Sequence, residues 1–296
     1  MTNTVEPEKA EYSVGRALVL GPGGIVGTAW TAGLVHGLRH EGVDLGEADL
    51  IVGTSAGAIV AAALGAENGL GRLARPVAGD HPRPTAPDAQ RTAEVFAVLG
   101  TPGLTPEEAR RRAGRIAMGT ADPRAQQALL TGRRELIGVD AWPTRRLLIT
   151  AVDAASGEPV VWDRDSGVPL VDAVAASSAF PGTAPPIEVG GRYYMDGALR
   201  EGTNADLARG ARTVLVVAPL AHRFPREPHR RVQDVPGAET VLTIAPKEAA
   251  LLAFGTDPGD LAVWVPSFRA GFAQAADEQE RLFIPWNNRR VSPLGR

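Results

Sequence analysis

Short apolar runs that stop at glycine alternate along this chain with stretches of helical spacing. Arg16 to Leu20 (RALVL) is almost wholly apolar and ends at Gly21, the pattern of a strand covered on both faces. Asp49 to Gly53 (DLIVG), Arg146 to Val152 (RLLITAV) and Thr213 to Pro219 (TVLVVAP) repeat that pattern. Pro159 to Trp162 and a run ending at Met195 read as two shorter strands. Between the first runs, Thr28 to Leu38 puts Trp30, Leu34 and Leu38 on one helical face. Ser55 to Leu64 reads as an alanine-rich helix able to pack closely on a sheet, and Leu170 to Ser177 as another helix. Apolar periodicity at Glu248 to Phe254 and Phe268 to Phe272 predicts helices near the C-terminus. Buried parallel-type strands alternating with helices predict an α/β protein, a three-layer α/β/α sandwich.

The texture changes between about residues 70 and 145. Residues 76–88 carry four prolines and read as loop, and the first 14 residues read as an untied polar end. Thr105-Pro106-Glu107-Glu108 is a strong helix start, with a capping hydroxyl, proline in the first position and acids in the first turn. The body that follows, ARRRAGRIAMG, has a basic face; it reads first as a solvated surface and second as a contact for anionic lipid headgroups. A single domain over 1–296 is expected, with a core at about 15–220, a helical insertion or cap at about 70–145 and a helical C-terminal region at about 238–296. Residues 221–237, rich in arginine and proline, read as a mobile loop.

Composition narrows the function classes. With 44% hydrophobic residues among 296, the chain can build a large core, which excludes wholesale disorder. A net charge of −3 and scattered aromatics (5%) supply neither the field nor the stacking stripe of a nucleic-acid binder. Having no cysteine, the chain has no disulfide, no thiolate metal site and no cysteine nucleophile. The longest apolar run, Ala56 to Ala66, falls short of the roughly 18 residues that span a bilayer, and the first residues lack a signal-peptide pattern. A cytoplasmic protein is expected.

Three places carry candidate chemistry. Gly53-Thr54-Ser55-Ala56-Gly57 matches G-x-S-x-G directly after a predicted strand and before a predicted helix. A sharp turn there holds the Ser55 hydroxyl in a cleft, glycines at Gly53 and Gly57 let it close, and the helix N-terminus offers amides to a developing oxyanion. The earlier turn Gly21 to Gly27 also follows a strand and precedes a helix, so the amides of Gly23 and Gly24 can face an anionic atom. A dinucleotide fingerprint competes for that turn: Asp44 lies at about the right distance, but Val26 occupies the position of its third small residue. The third place is Tyr193-Tyr194-Met195-Asp196-Gly197-Ala198, an acid at a strand end before a glycine turn.

In this order, the three elements resemble the patatin-like phospholipase family, which uses a serine–aspartate dyad without histidine. The segment from Ala175 to Ala208, with its FPG turn and T-N-A-D-L-A start, resembles the family throughout, and the resemblance covers about Arg16 to Pro219. It implies Ser55 as nucleophile, Asp196 as general base and the amides of Gly23, Gly24 and Ala56 as oxyanion hole, with Gly27, Gly53, Gly57 and Gly197 completing the motifs. It also implies lipid acyl esters as substrate, no cofactor, and transient contact with a membrane surface. One departure stands out. The family's glycine loop, G-G-G-x-[KR]-G, carries a basic residue where this chain has Val26, and Pro22 replaces its first glycine.

Other readings remain open at this level. An α/β-hydrolase triad would need a histidine after the acid, and only His222 and His229 follow it. His36 and His40 lie one turn apart, but no carboxylate or cysteine motif joins them into a metal site. An acyltransferase would use the same dyad with an alcohol or carrier thiol in place of water. A lipid-binding relative without turnover, or a nucleotide-binding protein using Gly21 to Gly27, would leave Ser55 dispensable.

Overall fold

The computed structural model describes residues 14–75, 88–223, 235–255 and 260–287. The predicted untied end, most of the proline-rich loop at 76–88 and most of the 221–237 loop lie outside the described residues.

The first apolar run forms β1 (Val14–Leu20), and the chain turns at once into α1 (Gly24–His40). After a 3-10 turn at Leu45–Glu47 come β2 (Leu50–Gly53), α2 (Ala56–Leu64) and the single-turn α3 (Gly69–Arg72). The insertion supplies α4 (Ala89–Leu99), α5 (Pro106–Met118) and α6 (Pro123–Ile137). Then follow β3 (Arg146–Asp153), β4 (Pro159–Trp162), α7 (Leu170–Ser177), β5 (Ile187–Val189), β6 (Arg192–Asp196) and α8 (Ala198–Glu201). A 3-10 turn at Ala205–Ala208 leads to β7 (Ala211–Val217), β8 (Thr240–Ile244), α9 (Glu248–Ala253) and α10 (Trp264–Asn287).

The strands lie in the order β5-β6-β3-β2-β1-β7-β8, with β4 also on β3. β3, β2, β1, β7 and β8 are mutually parallel, whereas β4 and β6 pair antiparallel with β3 and β5 pairs antiparallel with β6. Alternate residues of the central strands therefore face two helical layers, which is why these strands read as apolar runs. Leu18, Leu20, Ile51, Leu147 and Ile149 pack with α1, α2, α7 and α10. Ala17, Val19, Leu50, Val52 and Val216 face Ala205 and Ala208 on the other side. Val152 and Met195 continue that second face against Val95 of α4 and Ala113 and Ala117 of α5. The mixed sheet flanked by helices is thus the three-layer arrangement that the alternation predicted.

Several elements differ from expectation. α1 starts at Gly24, four residues before Thr28, because the Gly27 amide already closes a helical turn on the Gly23 carbonyl at 3.0 Å. β6 is the strand predicted to end at Met195, but β8 and β5 had no apolar run to mark them: threonines interrupt the first, and the second is three residues long with Glu188 exposed at its centre. The insertion does not stand off as a cap. α6 packs on α2 and α7 in one layer, while α4 and α5 cover the opposite face, so the segment wraps around the β3–β6 edge. α10 runs for 24 residues, far beyond the predicted stretch, because only one stripe of it is buried and charged residues fill the rest.

α10 lies directly on α1. A Cβ on Gly33 would stand 2.0 Å from the Phe268 carbonyl oxygen, and one on Gly271 would stand 2.1 Å from that of Trp30. The end of α10 buries Trp286 completely, with Arg16 over its ring and its indole N–H donated to the Asp44 carbonyl. Gly271→Ala is expected to separate the two helices, at a cost of about 2–3 kcal/mol or more. Thermal denaturation should show its Tm lowered by roughly 5–10 °C. Gly132→Ala in α6, where a Cβ meets nothing, should leave Tm unchanged or slightly raised. Equal effects of the two changes would contradict this packing.

Candidate active site

The turn between β2 and α2 holds Ser55 at φ 55°, ψ −118°, a conformation rare for a residue with a side chain. Its neighbours over-determine it. The Thr54 amide donates to the Leu20 carbonyl at 3.0 Å, and the Ser55 amide donates to the Ser177 hydroxyl at the end of α7 at 3.0 Å. Gly57 lies so close to β1 that a Cβ there would stand 1.9 Å from the Leu20 carbonyl oxygen, so only glycine fits. The result is a sharp strand-to-helix elbow with Ser55 at its tip.

The Ser55 hydroxyl donates to Asp196 Oδ2 at 2.7 Å. Asp196 ends β6, opposite Ala151 of β3, and its own amide donates to the Ala179 carbonyl at 3.0 Å. Its second oxygen, Oδ1, accepts the Ala198 amide at 2.8 Å, an interaction made possible by the turn at Gly197. The carboxylate is therefore held by its backbone on one side and aimed at Ser55 on the other. Beneath the pair, the Asn204 side-chain amide donates to Thr54 Oγ1 (2.9 Å), Thr150 Oγ1 (3.1 Å) and the Gly197 carbonyl (3.1 Å). Asn204, Thr54 and Thr150 are all fully buried, so this network locks the serine turn to the aspartate turn in a dry environment.

Burial decides the charge state. Asp196 is 2% exposed, and desolvation pushes its carboxyl up to about 7. The Ala198 amide, the Ser55 hydroxyl and the positive charge of Arg133 each pull it back down. A carboxylate poised near neutrality is a suitable proton acceptor.

The glycine turn and the serine turn follow adjacent parallel strands whose ends are in register, Leu20 beside Gly53. The amides of Gly23, Gly24 and Ala56 meet no acceptor among the described residues. Val26 is 3% exposed and packed in the core, so its side chain does not face the site. Asp44 caps the 3-10 turn beyond the far end of α1 and pairs with Arg39, away from the glycine turn that a dinucleotide would occupy. His222 stacks on Phe254 at 6.3 Å, and His229 lies outside the described residues. His36 and His40 stack on each other at 5.1 Å. Among the described residues no cluster suited to a metal occurs, and no helix is long and apolar enough to cross a membrane. On α5, Glu108 bonds Arg111 and Arg112, which offsets part of the basic face. A cavity of about 240 Å³ bounded by Trp142, Arg146 and Asp163 lies at the start of β3, at the opposite end of the sheet.

Sequence reasoning missed Ser177, Asn204 and Arg133. Ser177 and Asn204 stood inside the recognised segment, but nothing local marks a side chain whose partner is more than a hundred residues away. Arg133 is one arginine among many.

The model of the family described as patatin-like phospholipase matches residues 18–209. Among solved structures, VipD from Legionella pneumophila matches with a TM-score of 0.45 and 11% identity, covering 90% of this chain and 67% of that one. The type III effector protein ExoU matches with a TM-score of 0.35 and 18% identity, covering 89% of this chain and 53% of that one. A search of curated proteins found no match.

The raised acid has a consequence for stability. Between about pH 4 and 7 the folded protein binds a proton at Asp196 that the unfolded chain releases. Its contribution is complete below about pH 4 and lost as pH rises through about 7. Asp196→Asn removes this titration, so the variant should be more stable than wild type at pH 8, by on the order of 1–3 kcal/mol. The gap should narrow as pH falls to 4 in a pH series of denaturation curves. A gap independent of pH would show that ionisation is not the cause.

Proposed function

The chain belongs to the patatin-like phospholipase family, and from that premise we propose that it cleaves carboxylic esters of lipids through an acyl-Ser55 intermediate, with Asp196 as its base. Membership places it among ester-bond hydrolases at the level of the family. The single observation that supports the finer reading is the 2.7 Å hydrogen bond from the Ser55 hydroxyl to the buried Asp196 carboxylate, with no histidine between them.

In this reading, Ser55 Oγ attacks the ester carbonyl carbon while its proton passes to Asp196 Oδ2. The carbonyl oxygen takes up the displaced electron pair, and the unpaired amides of Gly23, Gly24 and Ala56 stabilise it. Collapse of the tetrahedral species breaks the ester C–O bond, and Asp196 returns the proton to the leaving alkoxide. Water then attacks the acyl-enzyme, giving its proton to Asp196, and Ser55 leaves and recovers a proton. The strain at Ser55 and the Ser177 and Asn204 contacts keep the nucleophile on this path without a third catalytic side chain.

A short-chain nitrophenyl ester and a fluorophosphonate probe test the assignment. Ser55→Ala is expected to abolish labelling and to lower turnover by about 10³-fold or more while the fold persists. Asp196→Ala should abolish turnover as well, and His222→Ala should change neither the rate nor its pH dependence. In wild type, kcat/KM should fall below about pH 7 as Asp196 gains its proton. Turnover that survives Ser55→Ala, or that disappears with His222, would overturn the dyad.

A further inference from the structure

The family pattern carries a cation in the glycine turn, and this chain has Val26 there, directed into the core. A different cation lies by the dyad. Arg133, on the side of α6 that packs on α7, is half-buried and donates from Nε to the Ser178 hydroxyl at 2.8 Å. The Ser178 hydroxyl itself donates to the Val174 carbonyl at 2.9 Å, so its oxygen is oriented to accept from the guanidinium. Arg133 thereby docks on a three-residue segment that touches both members of the pair. Ser177 holds the Ser55 amide, and the Ala179 carbonyl holds the Asp196 amide.

Resting on the dyad reading above, we propose that Arg133 is a positioning residue whose charge, anchored by Ser178, keeps Asp196 ionised as the acceptor of the Ser55 proton. Three observations support it. No further hydrogen bond and no ion pair engages the guanidinium among the described residues, so its charge is not spent on another carboxylate. Burial lowers the guanidinium to about 10, and Asp196 opposes that change; at neutral pH it remains a cation. The other charged groups on elements packed around Asp196 have partners or stand on the surface. Asp153 of β3 pairs with Arg192 of β6, and Arg200 of α8 pairs with Asp206. On α5, Arg111, Arg112 and Arg115 surround Glu108, while Arg110 donates to the Gly157 carbonyl. Asp172 of α7 interacts with Arg134, and Glu201 of α8 with Arg200. Of all these, Arg133 is the charge bound to the Ser177–Ala179 segment that holds the amides of both Ser55 and Asp196, and its pull on the Asp196 carboxyl adds to those of the Ala198 amide and the Ser55 hydroxyl.

The test is the pH profile of kcat/KM from pH 5 to 10 on a nitrophenyl ester for wild type, Arg133→Gln, Arg133→Lys, Ser178→Ala and Asp196→Asn. Removing the cation anchored at Ser178 should raise the acid limb of Arg133→Gln by about one pH unit. Activity should then fall about fivefold at pH 7 and approach wild type at pH 9. Arg133→Lys should restore the wild-type limb, and Ser178→Ala should shift it part of the way. A loss in Arg133→Gln that is equal at every pH, or no change at all, would overturn the proposal and leave the dyad standing. Should Arg133→Gln not fold, as judged by circular dichroism, the limbs of Arg133→Lys and Ser178→Ala decide in the same way. Asp196→Asn judges the underlying reading separately: activity retained in that variant would remove the dyad itself.

Discussion

Ser55 occupies a backbone conformation that costs a residue with a side chain on the order of 1–3 kcal/mol, and much of the surrounding structure is arranged against its relaxation. β1 supplies the carbonyl that fixes Thr54 and the surface that Gly57 must touch. α7 supplies the hydroxyl that accepts the Ser55 amide. Asn204, from the segment after β6, binds Thr54 and Thr150 together. Four segments distant in sequence thus converge on one turn, and each contact is buried where water cannot replace it. The turn so held presents the hydroxyl to Asp196, which is the role the proposed dyad asks of it.

Electrostatics adds a second constraint of the same kind. Asp196 is held where a carboxylate is poorly solvated, and its burial is only partly offset by an amide, a hydroxyl and a cation. Such an arrangement stores unfavourable free energy in the fold at neutral pH, which the extensive core on both sides of the sheet must offset. Under the proposed dyad, it is also what lets a carboxylate serve without an intervening imidazole. Desolvation raises its basicity into the range where proton transfer from serine becomes useful.

The parts furthest from the motifs are not accessories. α10 lies so close to α1 that glycine is required where their backbones meet, and Trp286 near its end closes the core beside Arg16. α1 in turn carries the glycine turn at its N-terminus, so the C-terminal helix positions that turn from behind. The insertion wraps the β3–β6 edge and places α6 against α7. It lies next to the Ser177–Ala179 segment that contacts both Ser55 and Asp196.

Apolar runs and glycine stops in the sequence determined the parallel strands, the helices beside them and the order of the three motifs, because those features depend on local spacing alone. The G-x-S-x-G turn could be located, since strand, glycine and helix must follow one another there for any chain to make it. α10 and β8 were largely hidden, because a half-buried element needs only part of an apolar pattern and the rest of its surface is supplied by solvent. Only the tertiary structure decided that Ser55 and Asp196, 141 residues apart, come within 2.7 Å. It alone decided that Val26 faces the core, that Asn204 joins the two turns and that Arg133 is the cation at this site. Hydrogen bonds between distant segments and the burial of a charge are properties of the packed whole, and no local pattern of residues encodes them.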